Sequence, residues 1–141
     1  MSELKVEIVS AQGHIHSGTA KTVFLPGDQG ELGVLPGHTP LLTRLKAGVI
    51  RVQTANGEEL PFFVGGGILE IQPTGVNVMA DSALRAKDAD AAAAQAAKDA
   101  AEAALANAST ELDLAKAQQE LIEAAARLQF VQQLKGKNNK G

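Results

Sequence analysis

The chain has 141 residues, a formal net charge of −3, no cysteine, and Phe as its sole aromatic type. These counts exclude disulfide staples, thiol catalysis and thiolate zinc sites, and leave little for stacking on bases or sugars. The charge argues against general nucleic-acid binding, and no apolar run reaches the roughly 18 residues of a bilayer span. Met1-Ser2-Glu3-Leu4-Lys5 lacks the layout of a secretory signal. The expectation is a soluble, cytoplasmic protein.

Composition changes near Leu84. All five prolines and twelve of the 14 glycines precede it, as do most Val and Ile residues. From Val76 to Lys135 no Gly or Pro occurs, and Ala dominates Ala86 to Ala126. Turn formers and β-branched residues favour short strands, whereas Ala without breakers favours helix. The reading is α+β in segregated halves: an antiparallel β-sandwich over 1–84, then an antiparallel two-helix hairpin over 85–141.

In chain order, Leu4, Val6 and Ile8 alternate with polar residues, the mark of a strand with one buried face. Gly13 to Gly18 has the glycine spacing that opens a phosphate loop. It lacks the following Lys-Ser/Thr and a helix, so it reads as a loop between strands. His14 and His16 within it would share one face of a strand, without a third ligand nearby in sequence. Gly30 to Leu42 holds Gly30, Gly33, Gly37, Pro36 and Pro40, and reads as a rigid exposed loop. Val49–Val52 and Leu60–Val64 flank Asn56-Gly57, a tight hairpin signal. Gly65-Gly66-Gly67 sits between two strands, as a bulge or close backbone approach. Pro73-Thr74-Gly75 turns into Val76–Met79.

The first helix starts at an Asp88 cap and runs to about Asn107. Thr110 with Asp113 resembles a capping box for the second. There Leu114, Ala117, Leu121, Ala124, Leu128 and Val131 step by three and four, a coiled-coil-like seam. A face made mostly of Ala methyls gains little on docking, while high Ala content keeps the helices persistent, so the arm suits a movable switch. Lys135, Lys137 and Lys140 make a basic tail, read equally well as a solvated end or as a contact for an acidic surface. His38 has no Ser-His-Asp grouping around it, and no cluster of titratable groups supports catalysis.

The Gly30–Leu42 run, and Gly66-Gly67-Ile68-Leu69-Glu70-Ile71-Gln72-Pro73 followed by Val78-Met79-Ala80-Asp81, resemble the epsilon subunit of bacterial rotary F-type ATP synthase. The resemblance covers essentially the whole chain. It implies a ten-stranded sandwich and a two-helix arm, in a non-catalytic central-stalk (rotor) subunit coupling proton transport to ATP synthesis. By that likeness the sandwich binds the gamma subunit and rests on the c-subunit ring. Glu31, Gly33, Pro36, His38 and Pro40 form the facing loop. The arm inhibits ATP hydrolysis, with Arg127, Lys135 and Lys137 meeting acidic segments of the beta subunits in the head of alpha and beta subunits. The implied location is peripheral, on the cytoplasmic face of the bacterial inner membrane.

Some members of that family bind ATP through a motif of Ile or Leu, Asp, two variable residues, Arg and Ala. Here the matching run is Ala89 to Ala94. Asp90 remains, but Ala93 replaces the arginine and Ala89 the aliphatic anchor, so no cofactor is expected and ATP binding should be weak or absent. No metal site is expected. A chaperone-like module with a coiled-coil arm is the competing reading, and it requires exposed apolar residues at the arm tip.

Overall fold

The computed structural model describes residues 3–139, and side chains as far as residue 136. The chain divides after Arg85 into two units, each with its own packing.

The first unit holds eight strands: β1 (Leu4–Ser10), β2 (Gly13–Ala20), β3 (Thr22–Gly27), β4 (Gly30–Val34), β5 (Leu41–Gln53), β6 (Glu59–Gln72), β7 (Gly75–Ala80) and β8 (Ala83–Arg85). They pair in the order β2-β1-β7-β6-β5-β3-β4, with β8 on β6. All pairings are antiparallel except β1 with β7.

β5 and β6 are long enough to serve both layers. The first half of β5 pairs with the end of β6, beside β7 and β1. Its second half pairs with the start of β6, beside β3 and β8. Counted by layer, these two strands contribute twice, which reconciles eight continuous strands with the ten implied by the resemblance. The layer change falls at Gly65–Gly67. Gly66 and Gly67 have φ of +100° and +149°, which a side chain would resist. A Cβ on Gly67 would also lie 2.3 Å from the Met79 carbonyl oxygen. The triplet therefore bends one strand and does not separate two.

The core is the interior of this sandwich: Leu4, Val6, Ile8, Val23, Leu25, Ile50, Val52, Leu69, Ile71 and Val76 are fully or almost fully buried. Each such side chain contributes about 1.5–3 kcal/mol of burial. The Asn56-Gly57 turn joins β5 to β6, with Gly57 at φ +91°.

Two loop expectations are corrected. Gly13–Ala20 is strand β2, with the turn confined to residues 11–12. Gly30–Val34 is strand β4, so only residues 35–40 form the connecting loop. In both cases the glycines sit opposite partner strands, where the missing side chain is tolerated because the backbone ladder is complete.

The second unit begins with one 3-10 turn, Ala86–Asp88, followed by α1 (Ala91–Ala106) and α2 (Glu111–Asn139). Asp90, not Asp88, is the N-cap of α1; its carboxylate accepts the amides of Ala92 and Ala93 at 3.0 and 3.2 Å. The 3-10 turn takes up Asp88, so the second aspartate stands where the helix starts. Thr110 caps α2, its hydroxyl accepting the Asp113 amide at 3.0 Å. Ala94 and Ala101 of α1 are buried, as are Ala117, Ala124, Leu128 and Val131 of α2. Leu114 departs from the expected seam and is 42% exposed, lying in the first turn of α2.

Candidate functional site

Pairing register fixes which residues share the outer face of the β5-β6-β7-β1-β2 layer. One row across it runs Leu42, Glu70, Asn77, Glu7 and Ser17. The next runs Arg44, Ile68, Met79, Val9 and His14. Leu42, Ile68 and Met79 are 71%, 43% and 57% exposed, although they stand on three adjacent strands. The face therefore carries three exposed apolar side chains on a diagonal, Ile68 and Met79 in one row and Leu42 in the next, which it shares with Glu70 and Glu7. Within that row Asn77 donates to Glu70 at 3.4 Å, and the Ser17 hydroxyl donates to Glu7. Exposed apolar side chains on adjacent strands make this face a candidate docking surface.

The loop 35–40 is fixed at one end of the same layer. The Gly37 amide donates to the Pro73 carbonyl at 2.8 Å, which ties the loop to the β6–β7 turn. His38 donates its amide to the Leu35 carbonyl at 3.2 Å, and its Nδ1 lies 2.6 Å from the Thr39 oxygen. Leu35 and Pro40 are exposed, Pro36 and His38 half-buried. Of the residues singled out in sequence, this loop thus gathers Pro36, His38 and Pro40. Glu31 and Gly33 lie apart from it on β4, a strand where a loop was expected.

Glu31 is exposed, and one of its oxygens is held by Arg51 at 3.4 Å. Gly33 stands opposite Phe24, where a Cβ would come within 3.3 Å of the ring.

The two histidines of β2 do not share a face. A β-bulge at Ile15 shifts the register, pairing His16 with Ile8 and His14 with Val9. His14 faces outward, 3.4 Å from Glu7, while His16 packs on Phe62 with ring centres 4.8 Å apart. Burial, reinforced by the His14 charge and opposed by Glu7, lowers the His16 pKa below its ordinary 6.5. Among the described residues no group of three His, Cys, Asp or Glu side chains is placed to hold a metal ion.

In the helical unit, Arg127 lines a groove of about 390 Å³ with Ala97, Ala101, Glu120, Glu123 and Ala124. Its Nε is buried and meets no hydrogen-bond partner among the described residues. Lys135 is exposed, at the rim of a second hollow of about 440 Å³ whose lining includes Ala89, Asp90, Ala91 and Leu134. The side chain of Lys137, and all of Lys140, lie outside the described residues. This hollow includes Ala89, Asp90 and Ala91, from the run where the resemblance places an ATP motif, and the Asp90 carboxylate is occupied as a helix cap. At the arm tip, Leu112 and Leu114 are both exposed, at 80% and 42%, in the first turn of α2. Two positions apart on a helix they do not face each other, so they form no contiguous apolar patch.

Sequence reasoning missed the Leu42–Ile68–Met79 stripe and Arg51. Period-two alternation marks which residues leave the core, but only the register reveals which of them adjoin.

The fold is a β-sandwich with exposed apolar side chains on one outer face, followed by a two-helix hairpin. Residues 3–86 match the ATP synthase Delta/Epsilon chain beta-sandwich domain, and residues 83–132 match the long alpha-helix domain of the same chain. The chain belongs to the ATP synthase delta/epsilon chain family, whose members are subunits of the synthase and not enzymes by themselves. Its fold is similar to a chain of the Euglena gracilis mitochondrial ATP synthase, described with its OSCP, F1 and c-ring. The TM-score is 0.75 at 17% identity, over 89% of this chain and 79% of that one. It is also similar to a chain of the Tetrahymena thermophila mitochondrial ATP synthase, described as central stalk and c-ring. There the TM-score is 0.61 at 10% identity, over 91% and 96%. No helix among the described residues is long and apolar enough to cross a membrane.

Proposed function

We propose that this chain is a rotor subunit of the ATP synthase central stalk. In this reading the sandwich is the fixed part: it binds the gamma subunit and rests on the c-subunit ring, so that proton flow through the ring turns it with the stalk. The helical arm is the moving part, a brake on ATP hydrolysis in the head of alpha and beta subunits. The complex holds the chain peripherally on the cytoplasmic face of a bacterial inner membrane.

The observation that carries the reading is the exposed Leu42–Ile68–Met79 stripe on a sandwich of this family. Left in water, three large apolar side chains on neighbouring strands gain nothing; covered by a partner helix, each contributes about 1–2 kcal/mol. Glu70 and Glu7, in the row that holds Leu42, favour a partner with basic residues facing them. The loop 35–40 and Glu31 supply the contacts toward the ring. Both similar structures come from assemblies that include a c-ring, which supports this placement.

For the brake, Lys135 and Lys137 supply charge for acidic segments of the beta subunits. Arg127 joins them when the hairpin opens. The hollow beside Asp90 offers no arginine to a nucleotide, so arm movement is not gated by ATP in this chain.

The test is a chain ended after Arg85, assayed for co-purification with gamma and with ring-bearing membranes. Retention of both contacts supports the division of labour. Loss of gamma binding by a folded truncated sandwich refutes it.

A further inference from the structure

Arg51 connects four strands through one guanidinium group. Register sets it on β5 opposite Phe24 of β3 and Pro61 of β6. Its guanidinium carbon lies 4.5 Å from the centre of the Phe24 ring. Nη1 donates to Glu59 of β6 at 3.1 Å, and Nη2 donates to Glu31 of β4 at 3.4 Å. Gly33, across from Phe24 on β4, leaves room for the ring, since a Cβ there would press on it at 3.3 Å.

β4 ends the sheet, paired with β3 on one side. An edge strand five residues long has few ladder bonds to resist fraying. Glu31 is its second residue, just past the two-residue turn at 28–29. A single exposed ion pair would do little here, because ordering two long side chains offsets the attraction. Arg51 differs in that its plane is already fixed by the aromatic face beneath and by Glu59 alongside. Binding Glu31 then requires little further ordering, and a planar fork suits two carboxylates at once in a way an ammonium does not.

We infer that Arg51 is a positioning residue for the β4 edge: it pins the β3–β4 hairpin and presents Glu31 with one carboxylate oxygen engaged and the other free for a partner. The pinning stands on the geometry alone. The presentation to a partner rests on the reading of Glu31 as a ring contact.

The experiment compares Arg51→Gln, Arg51→Lys, Glu31→Gln and the Arg51→Gln/Glu31→Gln pair in the full chain. Amide hydrogen exchange reads the β4 amides bonded to β3, with β1 and β7 as internal reference. Arg51→Gln and Glu31→Gln should each speed β4 exchange about two- to fivefold, the scale of an exposed but ordered ion pair. The double variant should exceed neither by much, because the two changes remove one shared contact. Arg51→Lys should restore part of the protection. Unchanged β4 exchange in Arg51→Gln, or additive effects in the double variant, would overturn the inference.

Binding to ring-bearing membranes separates the two claims. Arg51→Gln should weaken binding in the parent and have no further effect once Glu31 is Gln. Parent-like binding by Glu31→Gln would remove Glu31 from the ring contact, while the exchange data would still decide the role of Arg51.

Discussion

The Asp90 carboxylate accepts the backbone amide of Ala93 at 3.2 Å. Both residues stand in the run that the sequence resemblance sets against an ATP motif, and here the acid is engaged with the backbone of that run. Asp90 also accepts the Ala92 amide, so it satisfies two of the four orphan donors at the start of α1. Capping is a sufficient role for an aspartate at this position. Asp90→Ala should therefore lower the stability of the helical unit by about 1 kcal/mol. Calorimetry should find no sub-millimolar ATP binding in either protein. Such binding by the parent, lost in Asp90→Ala, would contradict this assignment.

Gly67 and Gly57 both have positive φ but should respond differently to alanine. At Gly67 a Cβ meets the Met79 carbonyl oxygen at 2.3 Å and the Ala80 Cα at 2.8 Å, both backbone atoms that cannot swing aside. At Gly57 nothing lies within 4 Å, so only the backbone conformation resists. Gly67→Ala should cost more than about 3 kcal/mol and Gly57→Ala about 1–2 kcal/mol in chemical unfolding. Equal losses would mean that β6 bends elsewhere.

Both glycine sites were legible as special in sequence, for reasons that also mark the limits of such reading. Asn56-Gly57 carries its turn chemistry in two adjacent residues. Gly65–Gly67 declared a close approach, but not that one strand continues through it, because the atoms it approaches belong to residues 79–82. The division into a β half and an α half was legible because Pro stops, and Val and Ile become rare, where Ala begins. The His14/His16 pairing misled, since a bulge is a property of two strands and leaves no mark in one. Arg51 was invisible for the same reason: its partners lie 20 and 8 residues away.

His16 should make the sandwich sensitive to acid. Its folded pKa is lowered, so below about pH 6.5 the unfolded chain binds the proton more readily than the folded one. That contribution is intact above 6.5 and is lost progressively as pH falls. Comparing melting temperatures at about pH 7.5 and about pH 5.0, His16→Phe should lose less than the parent, because Phe keeps the packing on Phe62 without a titrating ring. Parallel losses in the two proteins would show that His16 does not set the slope.

The apolar stripe gives a surface prediction. Ile68→Asp or Met79→Asp should shift stability by no more than about 0.5 kcal/mol, as exposed positions do. Each should reduce gamma binding at least about tenfold by placing an uncompensated carboxylate in a dry contact. Parent-like binding by both variants would move the interface to another face.

The central claim, a sandwich that clasps the stalk and a hairpin that restrains the head, is tested most directly by ATP hydrolysis. The measurement compares a reconstituted catalytic head carrying the full chain with one carrying a chain ended near Ala108, at saturating amounts of each. Slower hydrolysis with the full chain is the predicted result. Equal rates, with both forms bound, would contradict it.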